Sequence, residues 1–376
     1  MKRRSFIKST TTSAALGAAS VPMVGACSRN TATDPVPISA AEKPTLHWKM
    51  ATSWTKKLDI LFGCAEHMCR RVREITEGRF SITPYASGEL APGLKVLDAV
   101  SEGSAECGHT ASYYYVERNP ALAFGTTLPF GLTTAQQNAW LYYGGGLDAM
   151  HSLYKAFDVV NFPAGNTGVQ MGGWFLNQIN RPADLVGLKM RIPGLGGKVM
   201  ERLGVDVQVL APEEIAPALL AGTIDAAEWS NPYDDEKVGI TKAAPHYYYP
   251  GWWEPGTTYE LQINLQQWDS LPLAYQEALK AAAAEANILM PAEFNAKNGA
   301  GLKRLKQQGT QVLPFKRELL MAAYEETIKL YEEHAERSAD FRQIYTQWKD
   351  FRTKVYSWNR TNELSFDRFA MQAAAT

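Results

Sequence analysis

The fold of this 376-residue chain is decided by residues 186–231, whose sequence is VGLKMRIPGLGGKVMERLGVDVQVLAPEEIAPALLAGTIDAAEWSN. The apolar segments that we predict to be strands in this stretch are Leu188–Ile192, Val205–Val209 and Ile224–Trp229. Between them, apolar residues recur at helical spacing before Gly204, and again between Pro212 and Gly222, so that each glycine ends a helix. This β-α-β-α-β order is typical of a parallel sheet that is buried on both faces.

Charged and aromatic side chains stand at the ends of the predicted strands. Arg191 lies near the end of the first strand, and Glu228 and Trp229 lie at the end of the third. Open α/β sheets bind ligands beyond the carboxyl ends of their strands, and a guanidinium binds a carboxylate through two parallel hydrogen bonds. Two interpretations are open: Arg191 and Glu228 form a structural ion pair, or they hold a ligand between them.

The first part of the chain repeats the same order of elements. Its predicted strands are Leu46–Ala51, Phe80–Tyr85 and Ala105–Thr110, and its predicted helices are Leu58–Thr76 and a segment marked by Leu94, Leu97 and Val100. Two such units predict an α/β protein with two lobes around a cleft. We expect the chain to cross into the second lobe at Thr167–Met171 and to return at the strand Tyr259–Asn264. We assign residues 45–166 and 257–300 to lobe I, and residues 167–256 and 301–320 to lobe II.

Long helices are predicted for the last quarter of the chain. Residues 273–308 are rich in alanine and in other strong helix formers. A longer helix is predicted from Leu320 to Trp358, with an apolar and aromatic stripe at three-four spacing: Phe341, Ile344, Tyr345, Trp348, Phe351, Val355 and Trp358. The stripe either packs against its own lobe or forms an interface with a second copy of the chain. We favour the interface, and we treat residues 321–376 as a helical dimerisation extension.

Residues 188–232, LKMRIPGLGGKVMERLGVDVQVLAPEEIAPALLAGTIDAAEWSNP, resemble the DctP-type periplasmic solute receptors of tripartite ATP-independent periplasmic (TRAP) transporters. The resemblance extends from Leu46–Met50, through Ser87–Leu90 and Leu128–Gly131, to Trp268. It is strongest to the dimeric branch that binds 2-oxo and 2-hydroxy monocarboxylates. The resemblance implies the bilobal solute-receptor fold and, for that branch, a homodimer in which the protomers exchange a C-terminal helix.

The resemblance also implies roles for individual residues. Arg191 corresponds to the residue that binds the substrate carboxylate, and Gln170 to the residue whose amide oxygen meets substrate or cation. The carboxylates of Glu228 and Glu254 and the backbone carbonyl of Trp229 correspond to cation ligands, and Trp229 is also expected to bind the substrate. A ligand set made only of oxygen atoms favours a hard ion, sodium or calcium.

Aromatic side chains are expected to line the ligand pocket. The candidates are Trp54, Tyr113, Tyr114, Tyr115, Trp252 and Trp253, of which we favour Tyr114 and Trp54. The alternative for each tryptophan is a place in the hydrophobic core. His109, at the end of a predicted strand, is expected to be a hydrogen-bonded structural histidine.

The function that the sequence favours is that of an extracytoplasmic TRAP receptor. It would bind pyruvate, another 2-oxo acid or lactate with a metal cation, and deliver the acid to a membrane permease. One alternative is a secreted serine hydrolase, because Ser53 and Lys56 match S-x-x-K, although the S-D-N and K-T-G motifs that accompany it elsewhere are missing from the sequence. Another alternative is a sensory receptor that presents the bound acid to a signalling partner.

The N-terminus has the pattern of a targeting segment. Arg3 and Arg4 precede a weakly apolar run, which predicts a twin-arginine signal peptide over residues 1–26 and a periplasmic protein. Cys27 is a candidate lipidation site, with simple cleavage after Ala26 or near Ala41 as the alternative, and residues 27–44 resemble a tether. The net charge is −1, and residues 1–26 hold four basic residues and no acid. The acidic remainder argues against nucleic acid as a partner.

Overall fold

The computed structural model describes residues 44–374. The predicted signal peptide, the lipidation site at Cys27 and all of the predicted tether except residue 44 lie outside the described residues. Across residues 44–374, none of the helices combines the length and the apolar composition that a membrane crossing requires.

The strands form two sheets. In chain order they are β1 (Leu46–Thr52), β2 (Phe80–Tyr85), β3 (Cys107–Thr110), β4 (Val159–Asn166), β5 (Trp174–Phe175), β6 (Lys189–Arg191), β7 (Asp206–Gln208), β8 (Ala226–Ala227), β9 (His246–Tyr249), β10 (Thr258–Asn264) and β11 (Gln311–Pro314). The first sheet has the order β2-β1-β3-β10-β4, and the second has the order β11-β9-β5-β8-β6-β7. We call the parts of the protein built on these sheets the first lobe and the second lobe.

The helices cover the sheets and extend the C-terminal part of the chain. In chain order they are α1 (Leu61–Ile75), α2 (Val96–Ser101), α3 (Ala123–Thr126), α4 (Thr134–Tyr143), α5 (Gly146–Tyr154), α6 (Gly194–Arg202), α7 (Pro212–Leu220), α8 (Pro232–Val238), α9 (Leu265–Ser270), α10 (Leu273–Gln307), α11 (Arg317–Arg337), α12 (Ala339–Thr361) and α13 (Glu363–Ala374). The predicted two-lobed α/β fold with a long C-terminal helix is confirmed.

Each sheet contains both parallel and antiparallel pairs of strands, and segments of the chain connect the two sheets. In the first sheet β1 runs parallel to β2 and β3, and in the second β6 runs parallel to β7 and β8, as the β-α-β order predicts. Strand β10 returns to the first sheet as predicted and lies antiparallel between β3 and β4. The chain therefore passes directly between the sheets through the short segments 167–173 and 250–257, which we call the two crossings, and a third connection, from β10 to β11, runs through α9 and α10.

Two predicted elements differ from the structure. The third strand of the central stretch is short, since β8 ends at Ala227 and leaves Glu228 and Trp229 beyond its carboxyl end. The single helix predicted from Leu320 to Trp358 is wrong, because α11 and α12 are separated at Ser338, which has an extended backbone. The Ser338 side chain accepts a hydrogen bond from the N–H of Phe341 at 3.2 Å, so it caps a new helix instead of continuing the old one.

The aromatic stripe of α12 packs largely on its own chain. Its buried members are Phe341, Ile344, Tyr345 and Trp348. The rings of Phe341 and Trp348 lie 5.0 Å and 5.9 Å from the ring of Phe124, which belongs to α3 in the first lobe. Trp358, at the far end of the stripe, is 62% exposed. The first half of the stripe therefore packs within its own chain, which is the alternative to the interface, and Trp358 at its end is exposed.

Candidate functional site

Arg191 and Glu228 form a buried ion pair that leaves one polar atom free on each side. The Arg191 Nη1 atom donates to Glu228 Oε2 at 2.8 Å and to the Glu228 carbonyl at 2.7 Å, and Arg191 Nε donates to the Leu210 carbonyl at 3.2 Å. The exposed fractions of Arg191 and Glu228 are 1% and 0%. Arg191 Nη2 and Glu228 Oε1 have no hydrogen-bond partner among residues 44–374. Since buried polar atoms are nearly always paired, these two atoms indicate a place for a ligand.

Gln170 and Glu254 lie on the two crossing segments between the sheets. Gln170 N–H donates to the Glu254 carbonyl at 3.1 Å, and Gly251 N–H donates to the Gln170 carbonyl at 2.9 Å, so the backbones of the two crossings are joined. Thr257 is shared by both side chains: its hydroxyl accepts from Gln170 Nε2 at 3.1 Å and donates to Glu254 Oε2 at 2.7 Å. Thr167 also accepts from Gln170 Nε2, at 3.1 Å.

These contacts orient the Gln170 amide. Because both hydrogen bonds use its nitrogen, the Gln170 Oε1 atom is left as an acceptor, and within the described part of the chain it has no donor. The sequence does not single out Thr167 or Thr257, although Thr257 follows Glu254 by only three residues. The only local signal for either threonine is its nearness in sequence to a predicted ligand.

Burial raises the pKa of both carboxyl groups. It raises the pKa of Glu254 to about 7, against the hydrogen bond from Thr257 and the positive charge of Arg191. It also raises the pKa of Glu228 well above its ordinary value, and the charge of Glu254 adds to this increase while that of Arg191 opposes it. One guanidinium thus faces two buried carboxyls, and a bound cation would allow both to ionise.

The arrangement fits a hard cation held by a mixed set of oxygens. No group of three or more His, Cys, Asp or Glu side chains that could hold a metal is found within residues 44–374. A cation here would therefore use two carboxylates, from Glu228 and Glu254, with neutral oxygens completing the set. The free Gln170 Oε1 atom and the Trp229 carbonyl, next in sequence to Glu228, are suited to that part. The Trp229 ring centroid lies 5.3 Å from the Arg191 guanidinium carbon.

The first lobe contributes Tyr113 and Tyr114, which lie on the short 3-10 helix Ser112–Tyr115 after β3. Their rings are nearly perpendicular, with centroids 4.9 Å apart. Burial raises the pKa of Tyr114 to about 12, and the nearby charge of Arg191 opposes that rise. Gly194 of the second lobe lies against Tyr113 so closely that a β-carbon on Gly194 would come 3.0 Å from Tyr113 Cβ. The two lobes therefore touch beside Arg191, as in a closed cleft.

Trp54 and Tyr115 pack in the first lobe. Trp54 is fully buried, its Nε1 donates to His109 Nδ1 at 2.9 Å, and its ring centroid lies 4.6 Å from that of Tyr259. His109 Nε2 donates to the Ala164 carbonyl at 3.1 Å, and burial lowers the His109 pKa to about 4, so this histidine is neutral and structural. The Tyr115 hydroxyl lies 3.1 Å from Thr110 Oγ1 and accepts from the Leu97 N–H. The contacts of Trp54 with His109 and Tyr259 thus place its ring in the packed interior of the first lobe, which is the alternative considered for it.

The structure does not bring Ser53 and Lys56 together as a nucleophile and its base. Ser53 Oγ is buried, lies 2.6 Å from Thr110 Oγ1 and donates to the Gly93 carbonyl at 2.5 Å. Lys56 lies at the surface, where its Nζ is 2.5 Å from Glu89 Oε1. A nucleophilic serine needs a base within hydrogen-bond reach, but Ser53 contacts Gly93 and Thr110 while Lys56 contacts Glu89.

Two α/β lobes closed on a buried guanidinium, two carboxyls and an unpaired amide oxygen define a bilobal solute-binding protein. The chain belongs to the DctP family, bacterial extracellular solute-binding protein family 7, whose family model matches residues 50–338. The resemblance inferred from residues 188–232 is therefore confirmed.

Relatives of this chain include proteins with bound cations and small carboxylates. The monocarboxylate 2-oxoacid-binding periplasmic protein of Nostoc sp. is 52% identical over 98% of this chain and 99% of its own length. A TRAP transporter solute-binding protein of Bordetella bronchiseptica RB50 is 45% identical, with a TM-score of 0.87 over 88% of this chain and 99% of that one; it is a mixed-occupancy dimer with calcium and picolinate in one active site and an apo second site. A TRAP periplasmic solute-binding protein of Pseudoalteromonas atlantica, with bound sodium and pyruvate, is 34% identical, with a TM-score of 0.83 over 86% and 98% of the two chains.

Proposed function

We propose that this chain is the extracytoplasmic receptor of a TRAP transporter, and that it binds a 2-oxo monocarboxylate such as pyruvate, or lactate, together with calcium or sodium. In this role it passes the acid to the membrane permease. The observation that carries the proposal is a set of three free polar atoms in one buried site: Arg191 Nη2, Glu228 Oε1 and Gln170 Oε1. The free N–H of Arg191 suits a carboxylate oxygen, and the two free acceptors suit a hard cation.

The chemistry of a 2-oxo acid matches this set of atoms. One carboxylate oxygen can accept from Arg191 while the other carboxylate oxygen and the 2-oxygen chelate the cation. A 2-hydroxy acid offers the same pair of oxygens, whereas an unsubstituted fatty acid lacks the second one. The pyruvate in the Pseudoalteromonas relative, the picolinate in the Bordetella relative and the name of the Nostoc relative support a ligand of this class.

Binding is proposed to be coupled to closure of the two lobes. We propose that lobe I comprises residues 45–166 and 257–300 and that lobe II comprises residues 167–256 and 301–320. Polar contacts join the lobes at the surface: Lys198 Nζ to Glu117 Oε1 at 2.6 Å, Ser87 Oγ to Glu213 Oε1 at 3.2 Å and the Tyr233 hydroxyl to Asp59 Oδ2 at 2.8 Å. Exposed pairs of this kind contribute roughly 0–1 kcal/mol each. These surface pairs therefore add little to the closed state, and the ligand is expected to favour it by contacting both lobes at once.

We propose that the chain acts by binding and release and not by catalysis. The separate contacts of Ser53 and Lys56 remove the support for a hydrolase. A sensory role has no observation of its own in its favour. Export through the twin-arginine route is proposed from Arg3 and Arg4, and lipidation at Cys27 is proposed as the alternative to cleavage after Ala26.

We also propose that the chain forms a homodimer through its C-terminal helices, with helix exchange between protomers. The support is an apolar surface on the last turns of α12 and on α13 that the described chain does not cover, formed by Trp358, Leu364, Phe366, Phe369 and Met371.

Sedimentation equilibrium should show the full chain as a dimer, and the double substitution Phe366→Asp, Phe369→Asp should yield a monomer that still binds pyruvate. A full-length monomer would contradict the proposal.

The carboxylate and cation assignments are tested by calorimetry on purified protein. After chelation and dialysis into choline chloride buffer, the affinity for pyruvate should fall at least tenfold, or about 1.4 kcal/mol, because the anion would then enter a buried site whose two carboxyls are not balanced by a cation. Adding calcium chloride or sodium chloride should restore the affinity. Propionate, which has no 2-oxygen, is the control ligand and should bind weakly in all buffers. Tight pyruvate binding in the choline buffer would show that the cation assignment is wrong.

A further inference from the structure

The C-terminal helices hold three consecutive backbone carbonyls of the loop Leu128–Leu132. The Tyr331 hydroxyl of α11 donates to the Pro129 carbonyl at 2.7 Å. Arg352 Nη2 of α12 donates to the Phe130 carbonyl at 2.9 Å. The Tyr356 hydroxyl, one helical turn further along α12, is shared between the Phe130 carbonyl, at 3.1 Å, and the Gly131 carbonyl. Side chains more than two hundred residues away in sequence thus fix the path of this loop.

Phe130 has a backbone conformation that needs such support. Its φ angle is +51°, in the left-handed region, which bulky residues rarely adopt because the β-carbon crowds the backbone. A residue of this kind keeps its conformation only where several contacts fix it. The contacts here are the donors from Arg352 and Tyr356 on its carbonyl and the edge of the Tyr324 ring, whose centroid lies 5.3 Å from that of the Phe130 ring.

The other side of Phe130 supports the loop that carries Glu254. Phe130 N–H donates to the Trp252 carbonyl at 2.7 Å, and the two rings stack with centroids 5.0 Å apart and an interplanar angle of 15°. Further along this loop, a β-carbon on Gly256 would come 2.7 Å from the Leu132 carbonyl, so the two loops also touch there. Glu254 lies between these two points of contact, two residues after Trp252 and two before Gly256.

We infer that Arg352 and Tyr356 are positioning residues for the cation site: they hold Phe130 in its left-handed conformation, and Phe130 and Trp252 in turn hold the Glu254 carboxylate in place. The inference rests on the proposed role of Glu254 as a cation ligand. Helix α12 is itself fixed to the first lobe, since Gln347 Nε2 donates to the Gly144 carbonyl at 2.7 Å and the Trp348 ring packs on Phe124. The second crossing between the sheets is thereby tied to the first lobe at the point where it carries Glu254.

The inference is tested with Arg352→Met and with Tyr356→Phe, which removes only the hydroxyl. Lys354→Met is the matched control, because Lys354 is an exposed cation on the same helix that pairs with Asp350 at 2.6 Å. In calorimetric titrations of the full chain with calcium chloride at saturating pyruvate, Arg352→Met should raise the calcium dissociation constant about tenfold, Tyr356→Phe roughly threefold to fivefold, and Lys354→Met should leave it unchanged.

A second measurement separates positioning from a general loss of structure. If the Glu254 loop is only displaced, raising the calcium concentration should return the pyruvate affinity of both variants to the wild-type value. Variants that match the wild type in calcium affinity, or a loss of pyruvate affinity that saturating calcium does not reverse, would overturn the inference and leave the proposed function intact. A wild-type protein whose pyruvate affinity is the same with and without calcium or sodium would overturn the cation assignment and this inference together.

Discussion

Arg191→Met is expected to lower the affinity for pyruvate roughly a thousandfold, which corresponds to about 4 kcal/mol. The substitution removes the only guanidinium shown at the site within residues 44–374 and leaves the Glu228 carboxyl buried without its partner. Calorimetry with pyruvate at saturating calcium measures the loss. The pyruvate affinity of Arg191→Lys should lie between those of the wild type and Arg191→Met, since lysine keeps the charge but cannot form the two parallel hydrogen bonds of a guanidinium.

Arg202→Met is the matched control for Arg191→Met. Arg202, on α6 of the same lobe, forms its ion pair with Glu333 at 2.7 Å on the surface, so its removal should leave pyruvate binding within about twofold of the wild type. We expect the Arg191→Met protein to remain folded, because burial has already raised the pKa of Glu228 and the carboxyl can take up a proton. A pyruvate affinity of the folded Arg191→Met variant within threefold of the wild-type value would show that Arg191 does not bind the substrate carboxylate.

Glu254→Gln is expected to have effects of opposite sign with and without the cation. At low calcium concentration the substitution should lower calcium affinity about a hundredfold, because a charged ligand oxygen is replaced by a neutral one in a buried site. In choline buffer without calcium or sodium, the same variant should bind pyruvate more tightly than the wild type does. The reason is that one negative charge fewer then faces the incoming carboxylate.

A loss of calcium affinity together with a gain in cation-free pyruvate affinity would identify Glu254 as a cation ligand. Glu236→Gln is the isosteric control, since Glu236 pairs with Arg304 at the surface and should change neither titration. A general destabilisation of the site would weaken pyruvate binding in both buffers. Calcium affinity unchanged by Glu254→Gln would show that the carboxylate does not bind the ion.

We assign the buried ion pair of Arg191 and Glu228 to the proposed ligand selectivity and not to the stability of the fold. Taking Arg191 and Glu228 out of water costs free energy that their mutual attraction offsets only in part, so the pair alone is weak evidence for a stable core. The pair keeps the guanidinium at one position while Nη2 stays available to a ligand. In the proposed function, the carboxylate would therefore meet a donor whose position is fixed before binding.

Much of the site could be predicted from the sequence because its signals are local. Arg191 stands at the end of an apolar strand closed by Pro193, and Glu228 and Trp229 follow β8, which is the second strand after it in the chain. Parallel strands place such residues at one edge of the sheet, and the family resemblance adds Gln170 and Glu254. The structure brings all five residues to the two crossings between the lobes and the adjoining sheet edge.

Other features could not be predicted because they depend on contacts between distant segments. Trp54 is of a residue type that commonly lines ligand pockets, yet its indole N–H donates to His109 in the first lobe. The stripe from Phe341 to Trp358 has helical spacing throughout. The spacing does not reveal that Ser338 starts a new helix or that Phe341 and Trp348 pack on Phe124.

The sequence by itself determined the β-α-β-α-β order of elements in each of the two lobes and the residue types that we propose to meet a carboxylate and a hard cation. These properties follow from apolar periodicity, helix caps and strand ends, which act over a few residues. Only the tertiary structure decided that Thr167 and Thr257 leave the Gln170 oxygen free, and that Arg352 supports Phe130 beneath the Glu254 loop. Arg352 and Phe130 are 222 residues apart, and a hydrogen bond over that separation exists only when the intervening chain has packed.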